Sequence, residues 1–205
     1  TGAELALATV AFAVQIYCDF SAYSDIARGS AKMLGFTLME NFNCPYLAVS
    51  IQDFWRRWHI SLSSWFKDYL YFPLGGSRCS KGRHLLNIMI VFAVSGLWHG
   101  AALTFVAWGL LNGLYQVVSK LLQPLREGLL SLLRIPEDSR LLHGFRVVFT
   151  FFLTCLAWVL FRANSLSEAL WIFRALFSIP VTGLHASLSG LGVSFPALVM
   201  LGAFT

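Results

Sequence analysis

The chain has 205 residues, of which 57% are hydrophobic and only 12% charged. A soluble domain carries about 25% charged residues, so the composition excludes an ordinary water-soluble globule. With 18 Phe and 7 Trp it predicts an all-α, polytopic membrane bundle, because no apolar–polar alternation supports a barrel. The net charge of +5 then reports loop topology rather than nucleic-acid binding, and no RNA or DNA motif is present.

The sequence has no initiator Met and no signal-peptide pattern, and it ends in an apolar run. It is expected to be a fragment of a longer polytopic protein. Residues 1–205 read as one membrane domain without an internal repeat.

Residues 5–18 are uncharged and predict most of one span. Asp19 and Asp25 follow among Tyr17, Tyr23, Ser21 and Ser24. These form either an interfacial helix start capped by Ser24 or Asp25, with tyrosines at headgroup depth, or a polar rim beside a substrate path. Gly35 suits a helix C-cap. The NFNCP stretch at 41–45 reads as a turn, since the residue before a proline avoids the helical region.

Residues 51–71 predict one amphipathic, non-spanning helix at the membrane interface. Ser50 caps it, and Asp53 three residues on resembles a capping box. Asp53 and Arg57 are four apart, as are Trp55 and His59. The helix is expected to stop before Pro73 and Gly75–Gly76. Between 51 and 84 lie Arg56, Arg57, Lys67, Arg78, Lys81 and Arg83, opposed only by Asp53 and Asp68. The positive-inside rule places this segment on the cytoplasmic side.

Residues 85–118 contain no Asp, Glu, Lys or Arg, and His99 is their one ionisable side chain. A single helix of this length would run ~50 Å, against ~30 Å of bilayer core. Two arms meeting near 96–100 fit better. Basic residues follow at Lys120, Arg126, Arg134, Arg140 and Arg146, so the stretch is expected to enter and return, with His99 near the apex. Residues 123–144 read as a loop with short helical pieces. Residues 147–161 predict a span, with Arg146 and Arg162 snorkelling at its ends. Ser165 and Glu168 form a capping box for a helix to about Phe177. Residues 183–192 read as loose, and 193–205 as the start of a further span.

Cys18, Cys44, Cys79 and Cys155 lie far apart without CxxC or histidine pairing at metal spacing, which predicts free thiols and no metal site. Of five histidines, His84, His143 and His185 fall in polar or glycine-bearing contexts and read as surface or interfacial. Intramembrane ionisable residues are functional candidates. A buried imidazole without an acid partner is neutral and can take a proton from a hydroxyl nucleophile. Physical chemistry leaves two roles open for His99, a general base or a structural hydrogen-bonding group.

Two motifs add to this. WRRWHISL and GLWHG place His59 and His99 forty residues apart, between NCPYLAVSIQDFW and AALTFVAWG. With IYCDFSAYSDIARGSAKMLGF, they closely resemble the membrane-bound O-acyltransferase (MBOAT) superfamily, and within it the bacterial alginate O-acetyltransferase membrane-subunit branch. The resemblance is strongest over residues 16–116. Ala22 stands where that branch often has glycine, and Leu103 where an aromatic is common.

The resemblance implies a multi-helix membrane bundle with a tunnel, in the bacterial cytoplasmic membrane. His99 matches the catalytic histidine and His59 the second active-site position. It implies acetyl transfer from a cytoplasmic thioester, acetyl-CoA or another acyl donor, to hydroxyls of an exported polysaccharide, directly or through an extracytoplasmic acetyltransferase partner. No bound cofactor is expected. His59 or a tunnel hydroxyl such as Ser95 would face the oxyanion. Arg56 and Arg57 would meet coenzyme A phosphates or lipid headgroups. The alternatives are D-alanyl transfer to teichoic acid by the sister branch, and a proton-coupled transporter. The latter usually needs an intramembrane carboxylate, for which only Asp19 and Asp25 stand as candidates.

Overall fold

In the computed structural model residues 2–177 are described, and every regular element among them is helical. The expected loose segment 183–192, the span beginning at 193 and His185 lie outside the described residues.

Helix α1, Gly2–Met33, runs unbroken through Asp19 and Asp25. The expected cap at Ser24 or Asp25 is therefore corrected. No Pro interrupts the stretch, and Asp25 is held on the helix surface by Arg28 at 3.2 Å, which also reaches Glu40. Glu4 and Lys32 sit at the helix ends that favour their charges. The end is the predicted one. Gly35 takes φ 86°, and the Phe36 and Gly35 N–H groups donate back to the carbonyls of Ala31 and Lys32, a Schellman closure.

The largest departure from expectation lies at 51–71. The single helix predicted there is three pieces: α2 Ile51–Arg57, α3 Ile60–Phe66, and a π-helical turn Lys67–Tyr71. Ser50 caps α2 as expected, accepting the Asp53 N–H at 3.1 Å, while the Asp53 carboxylate accepts Val49 N–H and Arg57 Nε–H. The chain breaks at Trp58, which is extended, and His59, which is left-handed at φ 46°. The backbone groups freed by the break are taken by the 41–43 segment. Asn43 N–H donates to the Arg57 carbonyl, and Ile60 N–H to the Asn41 carbonyl, both at 3.0 Å. Tertiary pairing thus overrides a helical pattern.

Helices α4 (Lys81–His99) and α5 (Leu103–Leu121) form the expected two-armed hairpin, turning at 100–102. Glycines set its closeness. A Cβ on Gly96 would overlap the Phe105 carbonyl oxygen, and one on Gly109 the Phe92 carbonyl oxygen. Gly113 faces Met89 and Phe92. The arms are therefore antiparallel with backbones in contact. Asn87 is fully buried on α4 and donates to the carbonyls of Leu74 and Gly76, tying the glycine turn to the hairpin. Asn87→Leu removes both bonds and leaves two carbonyls facing an apolar group, a loss of about 1–3 kcal/mol. Limited proteolysis within 72–80 should become faster in that variant while cleavage elsewhere is unchanged.

After α6 (Gln123–Leu132), helix α7 runs Arg140–Arg162, starting seven residues before the predicted span. Residues 123–144 are thus mostly helical rather than loop. Ser165 and Glu168 close the start of α8, Leu166–Phe177, as the capping box predicts. The side chain of Glu168 also accepts both the backbone and side-chain N–H of Asn164. Among the described residues, two helices qualify as membrane spans by length and apolarity, α1 and α7. The arms of the hairpin instead bury polar residues, Asn87, Ser95, Asn112 and Gln116.

The core lies where α7 meets α1, α2 and α5. Trp58, Trp108 and Trp158 are each no more than 4% exposed. Trp158 lies 5.1 Å from Trp58 and stacks on Trp108 at 6.1 Å. This aromatic column carries the two histidines of interest at its rim.

Candidate active site

His99 is the last residue of α4, at the apex of the hairpin. Its ring meets Trp108 at 5.0 Å and 90°, Phe161 at 5.2 Å and 81°, and Trp98 at 5.0 Å. Three elements therefore box it: α5 through Trp108, α7 through Phe161, and its own helix. Gly100 keeps the turn narrow, since a Cβ there would overlap the Phe105 ring. Among the described residues no hydrogen bond is made to either ring nitrogen of His99. The imidazole is half-buried.

His59 reaches the same place from the break between α2 and α3. Its ring stands 4.7 Å from Phe20 at 87° and 6.3 Å from Trp98. The Trp98 indole is thus the shared neighbour of both imidazoles. Burial pushes the His59 pKa down to about 4, with His99 adding to the effect. Neutral His59 is the form present at physiological pH. Left-handed backbone at a non-glycine residue costs roughly 1–3 kcal/mol and persists where the surroundings enforce it, often at functional sites. Here the strain turns His59 away from the face occupied by Trp58, which packs on Phe42 and Trp158.

Asn41 holds His59 in place. Its Oδ1 accepts from His59 Nδ1 at 3.2 Å, from Ser61 N–H at 3.2 Å and from Ser61 Oγ at 2.9 Å. Its Nδ2 donates to Ser24 Oγ on α1 at 3.1 Å.

Beside this centre lies a cavity of about 410 Å³ between α2–α3 and the hairpin. It follows α4 from His84 to Ser95, about 16 Å of helix. Arg56, Lys67 and Lys120 border it together with His84, and among the described residues no carboxylate does. Burial and the Lys120 charge lower the His84 pKa. Ser95, at the inner end, is one helical turn from His99. Neither imidazole lines the cavity. Trp55 on its wall contacts Trp108, which contacts His99.

The structure thus brings together His59 and His99. It separates Arg56 from Arg57: Arg56 borders the cavity, while Arg57 is paired with Asp53 at 3.0 Å. His84 also differs from the surface reading, since it forms part of the cavity wall, 3.4 Å from the Tyr71 hydroxyl. Asn41, Phe20, Trp108 and Phe161 were not singled out from sequence. Asn41 lay inside a turn signature, which describes backbone and is silent on the side chain. The aromatics were hidden by abundance.

Comparison with known proteins identifies the family. The model of the MBOAT, membrane-bound O-acyltransferase family, matches residues 3–166. The probable alginate O-acetylase AlgI of Pseudomonas aeruginosa is 40% identical over 199 residues, 95% of this chain and 36% of that protein. The peptidoglycan O-acetyltransferase of Helicobacter pylori is 38% identical over 84% of this chain and 31% of its own length. The teichoic acid D-alanyltransferase of Bacillus subtilis is 34% identical over 48% of this chain and 27% of its own. The chain spans about a third of the length of the curated relatives it matches most extensively. With a family match over residues 3–166, the chain belongs to the membrane-bound O-acyltransferase family.

Proposed function

We propose that, within its whole protein, this chain carries the reaction centre of an O-acetyl transfer from a cytoplasmic thioester to hydroxyls of an exported, alginate-like polysaccharide, in the bacterial cytoplasmic membrane. The observation that carries the reading is the meeting of His59 and His99 on Trp98, from opposite sides of a broken helix and a hairpin apex. His99 takes the proton of the attacking hydroxyl as its oxygen adds to the thioester carbonyl. The tetrahedral intermediate then expels the thiolate, which receives that proton. The aromatic box lowers the local dielectric and so strengthens the interaction with the developing charge.

The cavity suits the donor. One of its cations, Lys120, lies at the base of the hairpin, the end with basic flanks that the positive-inside rule assigns to the cytoplasm. Arg56, Lys67 and Lys120 would meet the phosphates of an acetyl-CoA donor, with the apolar wall beyond leading toward His99. Arg57 supports the fold instead. Arg56→Ala should raise the apparent KM for the thioester about tenfold, the size of one lost charge-assisted bond, with kcat kept. Arg57→Ala should leave KM alone and cost about 1 kcal/mol of stability. Steady-state kinetics of both full-length variants check the split.

The test is to supply full-length protein, in vesicles with its extracytoplasmic partner, with acetyl-labelled thioester and the polymer. Ester-linked labelled acetate on the polymer is expected. Ester-linked D-alanine from an alanyl thioester, without acetate, would assign the sister reaction. Solute flux without thioester consumption would assign a carrier.

A further inference from the structure

We infer that Asn41 is a positioning residue that holds His59 in one tautomer, with the proton on Nδ1 and the lone pair on Nε2. The inference rests on the reading that His59 belongs to the reaction centre, but its geometric part stands apart from it.

Ser61 N–H can only donate, so the Asn41 side-chain atom 3.2 Å from it is the oxygen and not the amide nitrogen. The other end of the same amide donates to Ser24 Oγ, which agrees with that orientation. Two hydrogen-bonding partners then share the oxygen with Ser61 N–H: Ser61 Oγ at 2.9 Å and His59 Nδ1 at 3.2 Å. An amide oxygen only accepts. Ser61 Oγ must therefore give its proton to Asn41, and His59 Nδ1 must carry one. The remaining contact, Ser61 Oγ to His59 Nδ1 at 3.4 Å, is consistent with a shared Nδ1 proton, since the hydroxyl proton is already directed elsewhere. A neutral imidazole has one N–H. With it on Nδ1, Nε2 is an acceptor.

The backbone enforces the same geometry. The Asn41 carbonyl accepts Ile60 N–H at 3.0 Å, so one residue holds both the ring and the left-handed turn on which the ring stands. Ser24 ties the assembly to α1, and it is 9% exposed. A ring fixed in this way cannot flip to present Nδ1 to the substrate without breaking its bond to Asn41.

The chemical consequence separates two roles that sequence left together. Neutral His59 has no Nε2 proton to give an oxyanion. It accepts a hydrogen bond, from a hydroxyl of the polysaccharide acceptor, and orients the sugar. Stabilisation of the oxyanion passes to a group that holds a proton, such as Ser95, the cavity-lining hydroxyl one helical turn from His99. Among the described residues no carboxylate hydrogen-bonds to His59, whose ring partners are Asn41 and Ser61.

The experiment is ¹⁵N NMR of full-length protein in lipid bilayers with ¹⁵N-labelled histidine, the His59 signals being those lost in His59→Gln. Wild type is expected to show the Nδ1–H tautomer alone. Asn41→Ala should give a tautomer mixture and lower kcat about 10–100-fold, the scale on which an orienting partner of a histidine acts, with KM for the thioester unchanged. Asn41→Asp keeps an acceptor at Nδ1, so it should keep the tautomer and recover most of kcat. Its carboxylate favours imidazolium, so the acid limb of activity should move to higher pH. An Nε2–H tautomer in wild type, or an unaltered tautomer in Asn41→Ala, overturns the inference. Should Asn41→Ala fail to fold, the wild-type tautomer and the Asn41→Asp pH shift decide. The expected tautomer together with full activity in His59→Gln would instead overturn the placement of His59 in the reaction centre.

Discussion

Gly109→Val should leave little correctly folded full-length protein, the largest stability loss of any single change on the hairpin. The added Cβ would overlap the Phe92 carbonyl oxygen and lie 3.1 Å from the backbone of Gly96. Backbone cannot swing aside as a flexible side chain does, so α4 and α5 must separate. Overpacking costs typically 1–3 kcal/mol and more where the backbone must move, against a total stability of about 5–15 kcal/mol. Separation also displaces Trp108, the neighbour of Gly109 and one wall of the His99 box. The glycines supply their own controls. Gly113 should be milder, because its nearest neighbour is the flexible Met89 Sδ at 3.0 Å. Gly29 and Gly144 have nothing within 4 Å. Alanine at either helical site should be neutral or stabilise by up to about 1 kcal/mol. Thermal midpoints of the detergent-purified variants test this order. A Gly109→Val protein as stable as Gly144→Ala would show that the hairpin is not close-packed as described.

His99→Ala should lower acyl transfer by roughly 10²–10⁴-fold, the usual contribution of a positioned general base, while insertion and yield stay normal. Both ring nitrogens are unpartnered among the described residues, so removal of the ring breaks no hydrogen bond there. His59→Ala should cost less in transfer, because it orients rather than abstracts. Its loss should not add fully to that of His99→Ala, since residues that act as a unit are not additive. His143→Ala, on the exposed start of α7, should change nothing. Parallel assays of the three single variants and the double variant give these ratios directly.

Much of this was legible in the sequence, and for physical reasons. The uncharged run 85–118 was too long for one span, and a hairpin is what followed. Both capping boxes and the Gly35 closure were read correctly, because capping is local chemistry between residues three or four apart. What failed was the continuity of 51–71. Its helical periodicity is real, yet the helix breaks at His59 because a segment ten to twenty residues upstream takes its backbone hydrogen bonds. Periodicity cannot report a non-local competitor. The same reason hid Asn41, whose partners Ser24, His59 and Ser61 lie on both sides of it in sequence. In the opposite sense, polar residues around Asp19 imitated a helix end, where nothing in the backbone required one. Arg56 and Arg57 stand side by side in the sequence, but adjacent positions on a helix point about 100° apart, and Asp53 holds only the second.

The role proposed for His99 is that of the base in acyl transfer to a polysaccharide hydroxyl. It is tested most directly by measuring ester-linked acetate on the exported polymer of cells whose sole full-length copy carries His99→Gln. That side chain keeps polarity and approximate size but has no basic nitrogen. Wild-type levels of the protein in the membrane and loss of nearly all ester acetate are expected. Acetylation at the wild-type level, with the variant inserted normally, would contradict it.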